Sequence, residues 1–254
     1  MTLAGRARAG GVVLSLWALG ARPAVAQQFN SDSYLSKAHG VATIIVTYGQ
    51  RNSMIMTTFS LFPRWEFTVS DYLYNPDRDT HTNDGYSTSL YAKYMFYENK
   101  AKTGGFAVKF GTGMEPGYLD SQDRLKDAFK SYWTNAPVTL PFMENRLSWD
   151  IMPGVSATLP SGSDQTTTWA FTYATRLAWY PAGPHWSIVG EVVGASGQRS
   201  APPEYRLGYR WEPNQYVVLA ITYDDEFKGD NGAGAEIGMM LFTPPFLCIG
   251  KCKK

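Results

Sequence analysis

The chain has 254 residues, 44% hydrophobic and 15% aromatic but only 18% charged, with 23 basic against 22 acidic side chains. That composition excludes a disordered polymer and a nucleic-acid-binding arm, which need far more charge and fewer aromatics. The length accommodates one domain or at most two small ones, and the 24 Gly and 15 Pro follow no repeat.

At the N-terminus, Arg6 and Arg8 precede the apolar run Val12 to Leu19, and Ala24-Val25-Ala26 offers a small-x-small cleavage site before Gln27. These are the parts of a secretory signal peptide over residues 1–26, because so short a run cannot span a bilayer, which takes about 20 residues. Its removal takes away Arg6, Arg8 and Arg22 and no acid, leaving 20 basic and 22 acidic side chains. An exported chain so near neutrality has no electrostatic reason to bind nucleic acid. No later segment carries the roughly 18 consecutive apolar residues of a membrane helix. Two readings remain: a soluble exported β-sandwich, or a membrane β-barrel whose strands are apolar only at alternate positions.

Residues 27–243 read as such strands. Apolar residues of one parity mark segments near 42–48, 55–61, 65–69, 86–96 and 106–110, then 149–155, 169–180, 186–192, 205–211, 217–223 and 237–241. A further segment, Val138 to Met143, is weak because Pro141 interrupts it. The clearest runs from Trp169 to Tyr180, with Trp169, Phe171, Tyr173, Leu177 and Trp179 on one face and Ala170, Thr172, Ala174, Arg176 and Ala178 on the other. About ten residues at roughly 3.3 Å each, tilted by about 40 to 45°, rise about 23 to 25 Å, the height of an outer-membrane apolar band.

The connections test the count. Short, turn-rich links at Pro63, Asn145-Arg146, residues 181–184 and 212–214 alternate with long ones at 75–85, 115–135, 160–165, 196–202 and 225–232. This alternation holds only if the weak segment is a strand, which predicts an all-β, antiparallel up-and-down transmembrane barrel of 12 strands, with 10 as the alternative. Trp65, Trp149, Trp179, Trp186 and Trp211 then fall at the short-link level as one aromatic girdle, with Trp169 in the other.

The opposite parity carries Glu66, Lys93, Lys109, Asp150, Arg176, Glu191, Arg206, Arg210, Asp224 and Glu236, five of each sign. Such charges need partners or water, both of which a barrel lumen offers, and their balance argues against strong charge selectivity. Asp71 alone falls on the lipid parity of its strand. A β-bulge beside it would re-aim the side chain.

Residues 120–133 (DSQDRLKDAFKSYW) have the spacing of a short amphipathic helix within the longest loop, with Leu125, Ala128, Phe129, Tyr132 and Trp133 along one stripe. Asp77, Asp79, His81, Asn83 and Asp84 cluster oxygen ligands in a loop without completing a calcium-binding spacing, so a solvated loop is expected and no metal or other cofactor. Cys248 and Cys252 lie in a periplasmic tail, residues 244–254, where an oxidising compartment makes a small-loop disulfide the default. No catalytic motif is present. His39, His81 and His185 lie outside the strands, and Ser187 beside His185 has no evident orienting carboxylate, so an enzyme is not expected.

The sequence resembles the bacterial outer-membrane β-barrel transporters of the phenol-degradation meta-pathway type. The resemblance covers residues 54–243 and rests on a strand with a Lys-bearing lumen face (Leu90 to Tyr97), a Gly-rich strand (Phe106 to Gly113), the segment Ala157-Thr158-Leu159-Pro160-Ser161-Gly162, and Leu207 to Asn214 (LGYRWEPN). It implies passive passage of small, often hydrophobic molecules and supplies no catalytic residues. Two features depart from that pattern: the twelve residues after Phe242, and the helical loop. The expectation is a monomeric outer-membrane channel, in contact with lipid and a small-molecule cargo. A closed structural or adhesive barrel is the alternative.

Overall fold

The computed structural model describes residue 33 and residues 38–75, 85–115, 129–160, 166–198, 200–228 and 234–246. The signal segment 1–26, the oxygen-ligand loop from Asp77 to Asp84, and Cys248 and Cys252 lie outside them.

Thirteen strands follow in chain order: β1 (Ala42–Gly49), β2 (Asn52–Phe62), β3 (Trp65–Tyr74), β4 (Gly85–Glu98), β5 (Gly105–Gly113), β6 (Ser131–Asn135), β7 (Val138–Phe142), β8 (Leu147–Thr158), β9 (Thr168–Trp179), β10 (Trp186–Gly197), β11 (Ala201–Asn214), β12 (Val217–Glu226) and β13 (Gly234–Phe242). Every pairing is antiparallel, and β13 returns to β1, so no edge is left open. Strands β6 and β7 are halves of one stave. Both lie between β5 and β8, in an unbroken register that sets Asn135 opposite Lys109 and Thr139 opposite Gly105. The fold is therefore a closed antiparallel barrel of twelve staves.

The interruption falls at Ala136-Pro137. The Ala107 N–H donates to the Pro137 carbonyl and the Ala136 N–H to the Pro153 carbonyl, each at 2.9 Å. Neither proline has an N–H with which to return the bond.

The sixth stave begins at Ser131, earlier than the weak segment at 138–143, which corrects the end of the expected helix. Ser131, Tyr132 and Trp133 are strand and Phe129-Lys130 a turn, while residues 120–128 lie outside the described residues. Helical spacing loses here because β5 and β8 each present an unpaired edge, and a strand between them satisfies both. Strand β11 also runs further than its apolar parity, so its link to β12 is Gln215-Tyr216, and β10 and β11 are joined by residues 198–200 alone.

The barrel has a proximal end, where β1 starts and β13 finishes, and a distal end. Proximal links are tight. Arg64 (φ 69°) turns β2 into β3, and Met143, Glu144 and Asn145 carry φ of 50°, 55° and 68° between β7 and β8. The long links at 75–84, 114–130, 159–167 and 227–233 are all distal.

Side chains alternate across the wall as the pleat requires. The outer face is apolar, with Ile55, Val69, Phe110, Phe171, Leu207 and Ile221 among its exposed residues. Trp65, Trp149, Trp179, Trp186 and Trp211 stand at its proximal rim, where Trp186 stacks on Trp211 at 5.4 Å and Trp65 meets Tyr94 at 4.8 Å. Trp169 stands at the distal rim, 58% exposed. Asp71 stays on this face, against the expectation of a bulge: pairing continues unbroken from Ile55 through Asp71 to Thr88. Its carboxylate instead accepts a hydrogen bond from the Thr88 hydroxyl at 2.7 Å.

Candidate functional site: the barrel lumen

Inward-facing side chains fill what would be the core of a soluble barrel, and most of them are polar. Glu66, Lys93, Lys109, Asp150, Arg176, Glu191, Arg206, Arg210 and Asp224 are all buried, and Glu236 is half-buried on the same face. The wall brings them into two groups at different heights.

The proximal group is made of close pairs. Lys93 and Glu66, opposite one another in register, meet at 2.6 Å. Arg176 donates to one Asp150 oxygen through Nε at 2.9 Å and Nη2 at 2.7 Å, while the Thr139 hydroxyl donates to the other. Arg210 contacts Glu212 at 2.9 Å, and the same carboxylate oxygen accepts from the Tyr180 hydroxyl at 3.1 Å. Lys93 also reaches the Ser33 carbonyl at 3.5 Å. Beneath them, a cavity of about 30 Å³ lies among Asp150, Arg176, Tyr180 and Arg210, space for a single water.

The distal group is looser. Arg51 reaches Asp224 at 3.1 Å and Glu204 at 3.7 Å, and Arg206 lies 3.7 Å from Glu191 and 3.8 Å from Glu204. Glu204 stands directly opposite Glu226 in the β11–β12 register, an arrangement of like charges that costs stability. Glu236 faces Arg206, Asp224 and Glu191 from β13.

Across the lumen, β2 to β6 carry Met54, Met56, Tyr72, Tyr74, Tyr91 and Trp133. Tyr91 and Trp133 lie 5.3 Å apart, and the Lys109 ammonium sits 4.8 Å and 5.7 Å from their ring centres. Gly111 makes this packing possible, because a Cβ there would lie 2.5 Å from the Tyr91 Cβ and 2.6 Å from the Trp133 ring. Gly113, at φ +83°, then turns the chain into the lumen. Met114 packs on Tyr72 and Tyr74. Glu115 follows and accepts hydrogen bonds from Asn135 at 3.0 Å and Thr172 at 2.9 Å.

Five charged residues of the lumen lay beyond the parity reading: Glu115, Glu204, Glu212, Glu226 and Arg51. They change the expected balance of five and five to nine carboxylates against six cations among the described residues. Glu204 and Glu212 share the parity of Arg206 and Arg210, so extending that alternation to the strand ends would have found them. Arg51 and Glu115 lie in links, where parity has no meaning.

Not every polar group inside is satisfied by protein. The Ser60, Ser89, Ser148 and Ser187 hydroxyls and the Trp133 Nε1–H have no hydrogen-bond partner. Buried groups of this kind demand water or a ligand. The unpaired Ser187 also means that no Ser–His couple forms with His185, whose Nδ1 is 2.7 Å from the Glu212 carbonyl. His39 likewise meets the Leu61 carbonyl at 2.9 Å, and His81 lies outside the described residues.

No family profile matches the sequence, and no curated relative is found by sequence. Solved structures with the same fold include the COG4313 outer membrane channel from Pseudomonas putida F1, with a TM-score of 0.56 at 10% identity, covering 85% of this chain and 100% of that one. The NanC porin matches with a TM-score of 0.56 at 9% identity, over 79% and 98% of the two chains. The KdgM porin, solved in complex with an oligogalacturonate, matches with a TM-score of 0.51 at 10% identity, over the same shares. The fold is that of the porin-like outer-membrane barrels.

Proposed function

We propose that the chain is an outer-membrane channel for small, partly hydrophobic molecules, exported by its 1–26 signal segment and working as a monomer. The proximal end faces the periplasm and the distal end the exterior. The observation that carries this reading is the inversion of the two faces: an apolar, aromatic-rimmed exterior encloses an interior of charges and unpaired hydroxyls. A lipid-facing wall needs the first, and a water path needs the second. The porin-like fold and the sequence resemblance to meta-pathway phenol-degradation transporters support the same reading. Purified, folded protein in planar bilayers is expected to give discrete conductance steps. A barrel that inserts, yet neither conducts nor admits small solutes into liposomes, would overturn the proposal.

One observation favours a second reading, a closed structural barrel. The proximal pairs Glu66–Lys93, Asp150–Arg176 and Glu212–Arg210 are close enough to seal one level of the lumen. The same bilayer experiment separates the two readings, since a sealed barrel passes no ions at any voltage.

A further inference from the structure

The outer wall carries an almost wholly apolar groove of about 370 Å³ across β9, β10 and β11, lined by Thr175, Leu177, Val192, Tyr205, Leu207 and Phe227 around Gly190. Leu177 stands opposite Gly190 on β9 and Leu207 opposite it on β11. The two leucines are therefore two strand spacings apart, about 9.6 Å, and the missing side chain between them leaves a slot. Neither backbone nor packing requires glycine here. Gly190 is not among the glycines of positive φ. At Gly111 and Gly154 a Cβ would lie within 2.8 Å of its neighbours, whereas at Gly190 it would meet nothing nearer than the Leu207 Cδ2 at 3.6 Å. A strand glycine that its own neighbours do not explain marks a place where something else comes close.

We propose that this groove holds one acyl chain of a distal-leaflet lipid, which in an outer membrane is lipid A, and so keeps that lipid with the barrel. The inference rests on the outer-membrane reading and not on conduction. Gly190 lies four residues distal of Trp186 on β10, which at roughly 3.3 Å each and a tilt of about 40 to 45° sets it about 10 Å above the proximal girdle, inside the hydrocarbon layer. The groove asks nothing polar of its occupant at this depth. The Thr175 hydroxyl accepts from the Trp149 indole N–H at 2.7 Å and donates to the Asp150 carbonyl at 3.2 Å. The Glu191 side chain is turned inward toward Arg206 and fully buried, so Glu191 meets the groove through its backbone alone. An apolar cavity of about 150 Å³ takes a benzene ring. More than twice that room exceeds one side chain inserted by a neighbouring barrel and suits a length of flexible hydrocarbon. The direction of entry follows from the rings. Trp186 meets Tyr209 at 5.1 Å and Trp211 at 5.4 Å, standing across β10 and β11 on the proximal side of the groove. Tyr205 and Phe227, 5.0 Å apart, line it toward the distal rim, where Phe227 is the first residue beyond β12. A chain therefore enters from the distal surface.

The test offers lipid A or, separately, dipalmitoyl phosphatidylethanolamine to the full folded barrel, stripped of lipid in detergent, and reads the complexes by native mass spectrometry. One lipid A per barrel is expected to survive collisional activation that removes the detergent, with the phospholipid retained several-fold less. Gly190→Leu places a side chain in the slot and should lower lipid A retention several-fold, and Gly190→Ala, which fills less of it, should fall between. Heat-modifiable gel mobility reports that each variant is folded. Retention that Gly190→Leu leaves unchanged, equal retention of the phospholipid, or a dimer that forms in place of lipid binding and is lost in Gly190→Leu overturns the inference. Conductance of the unsubstituted barrel in planar bilayers keeps the two readings apart. A barrel that conducts and retains no lipid A overturns this inference and leaves the channel reading intact. One that retains lipid A through Gly190 without conducting overturns the channel reading and keeps the groove. A folded barrel that does neither overturns both.

Discussion

The proximal and distal halves of the lumen are built from the same residue types and do opposite things with them. Near the proximal rim Lys93, Arg176 and Arg210 each have their own carboxylate, at 2.6 to 2.9 Å. Toward the distal rim, carboxylates outnumber guanidiniums among the described residues and contacts stretch to 3.8 Å. Register is only part of the difference, since Arg206 stands opposite both Glu191 and Asp224 at looser contact while Arg210 pairs with Glu212 on its own strand. Where a Lys stands opposite a Glu, as Lys93 does Glu66, a pair forms and its electrostatics are spent locally. Where Glu204 stands opposite Glu226, two like charges face each other and Glu204 shares the more distant guanidiniums of Arg51 and Arg206.

The strongest way to break this contrast is to remove one partner of a proximal pair. Asp150→Ala leaves the Arg176 guanidinium buried without its carboxylate and is expected to cost about 3 kcal/mol, read as a lower urea midpoint for the folded-to-unfolded gel shift. Gly111→Val comes next. Its side chain collides with Tyr91 and the Trp133 ring, at a cost of about 2 kcal/mol, and the displaced indole should change the tryptophan emission spectrum. Glu204→Gln should change stability least, within about 0.5 kcal/mol, because removing its charge loses weak ion pairs but ends a repulsion. A large loss from Glu204→Gln, equal to that from Asp150→Ala, would show that the two halves are not different in kind.

Much of the wall was legible from parity because a two-faced strand with lipid outside writes its period plainly, as from Trp169 to Trp179. The sixth stave was not. Its first half places Trp133 inside and Thr134 outside, so the apolar period is reversed just where Leu125, Phe129 and Trp133 imitate a helix. Asp71 shows the converse. Its parity was right and the supposed repair unnecessary, because Thr88 on the next strand satisfies it. Lumen partners were illegible for a simpler reason: parity assigns a face, while partnership depends on register across strands far apart in sequence. Asp150 and Arg176 are 26 residues apart.

Pro137 and Pro153 give the cylinder a grain. At two adjoining seams, between β5 and the sixth stave and between that stave and β8, one backbone bond runs outward from Ala107 and from Ala136 with none returning. The wall is therefore stitched more thinly on this side than where β1, β12 and β13 pair without a proline. The thinner seams adjoin the pairing of Lys109 to Thr112 with Tyr132 to Asn135. Strand β11, with Pro202, Pro203 and Pro213, is a second such place, where the Phe227 N–H donates to the Pro203 carbonyl and no bond returns.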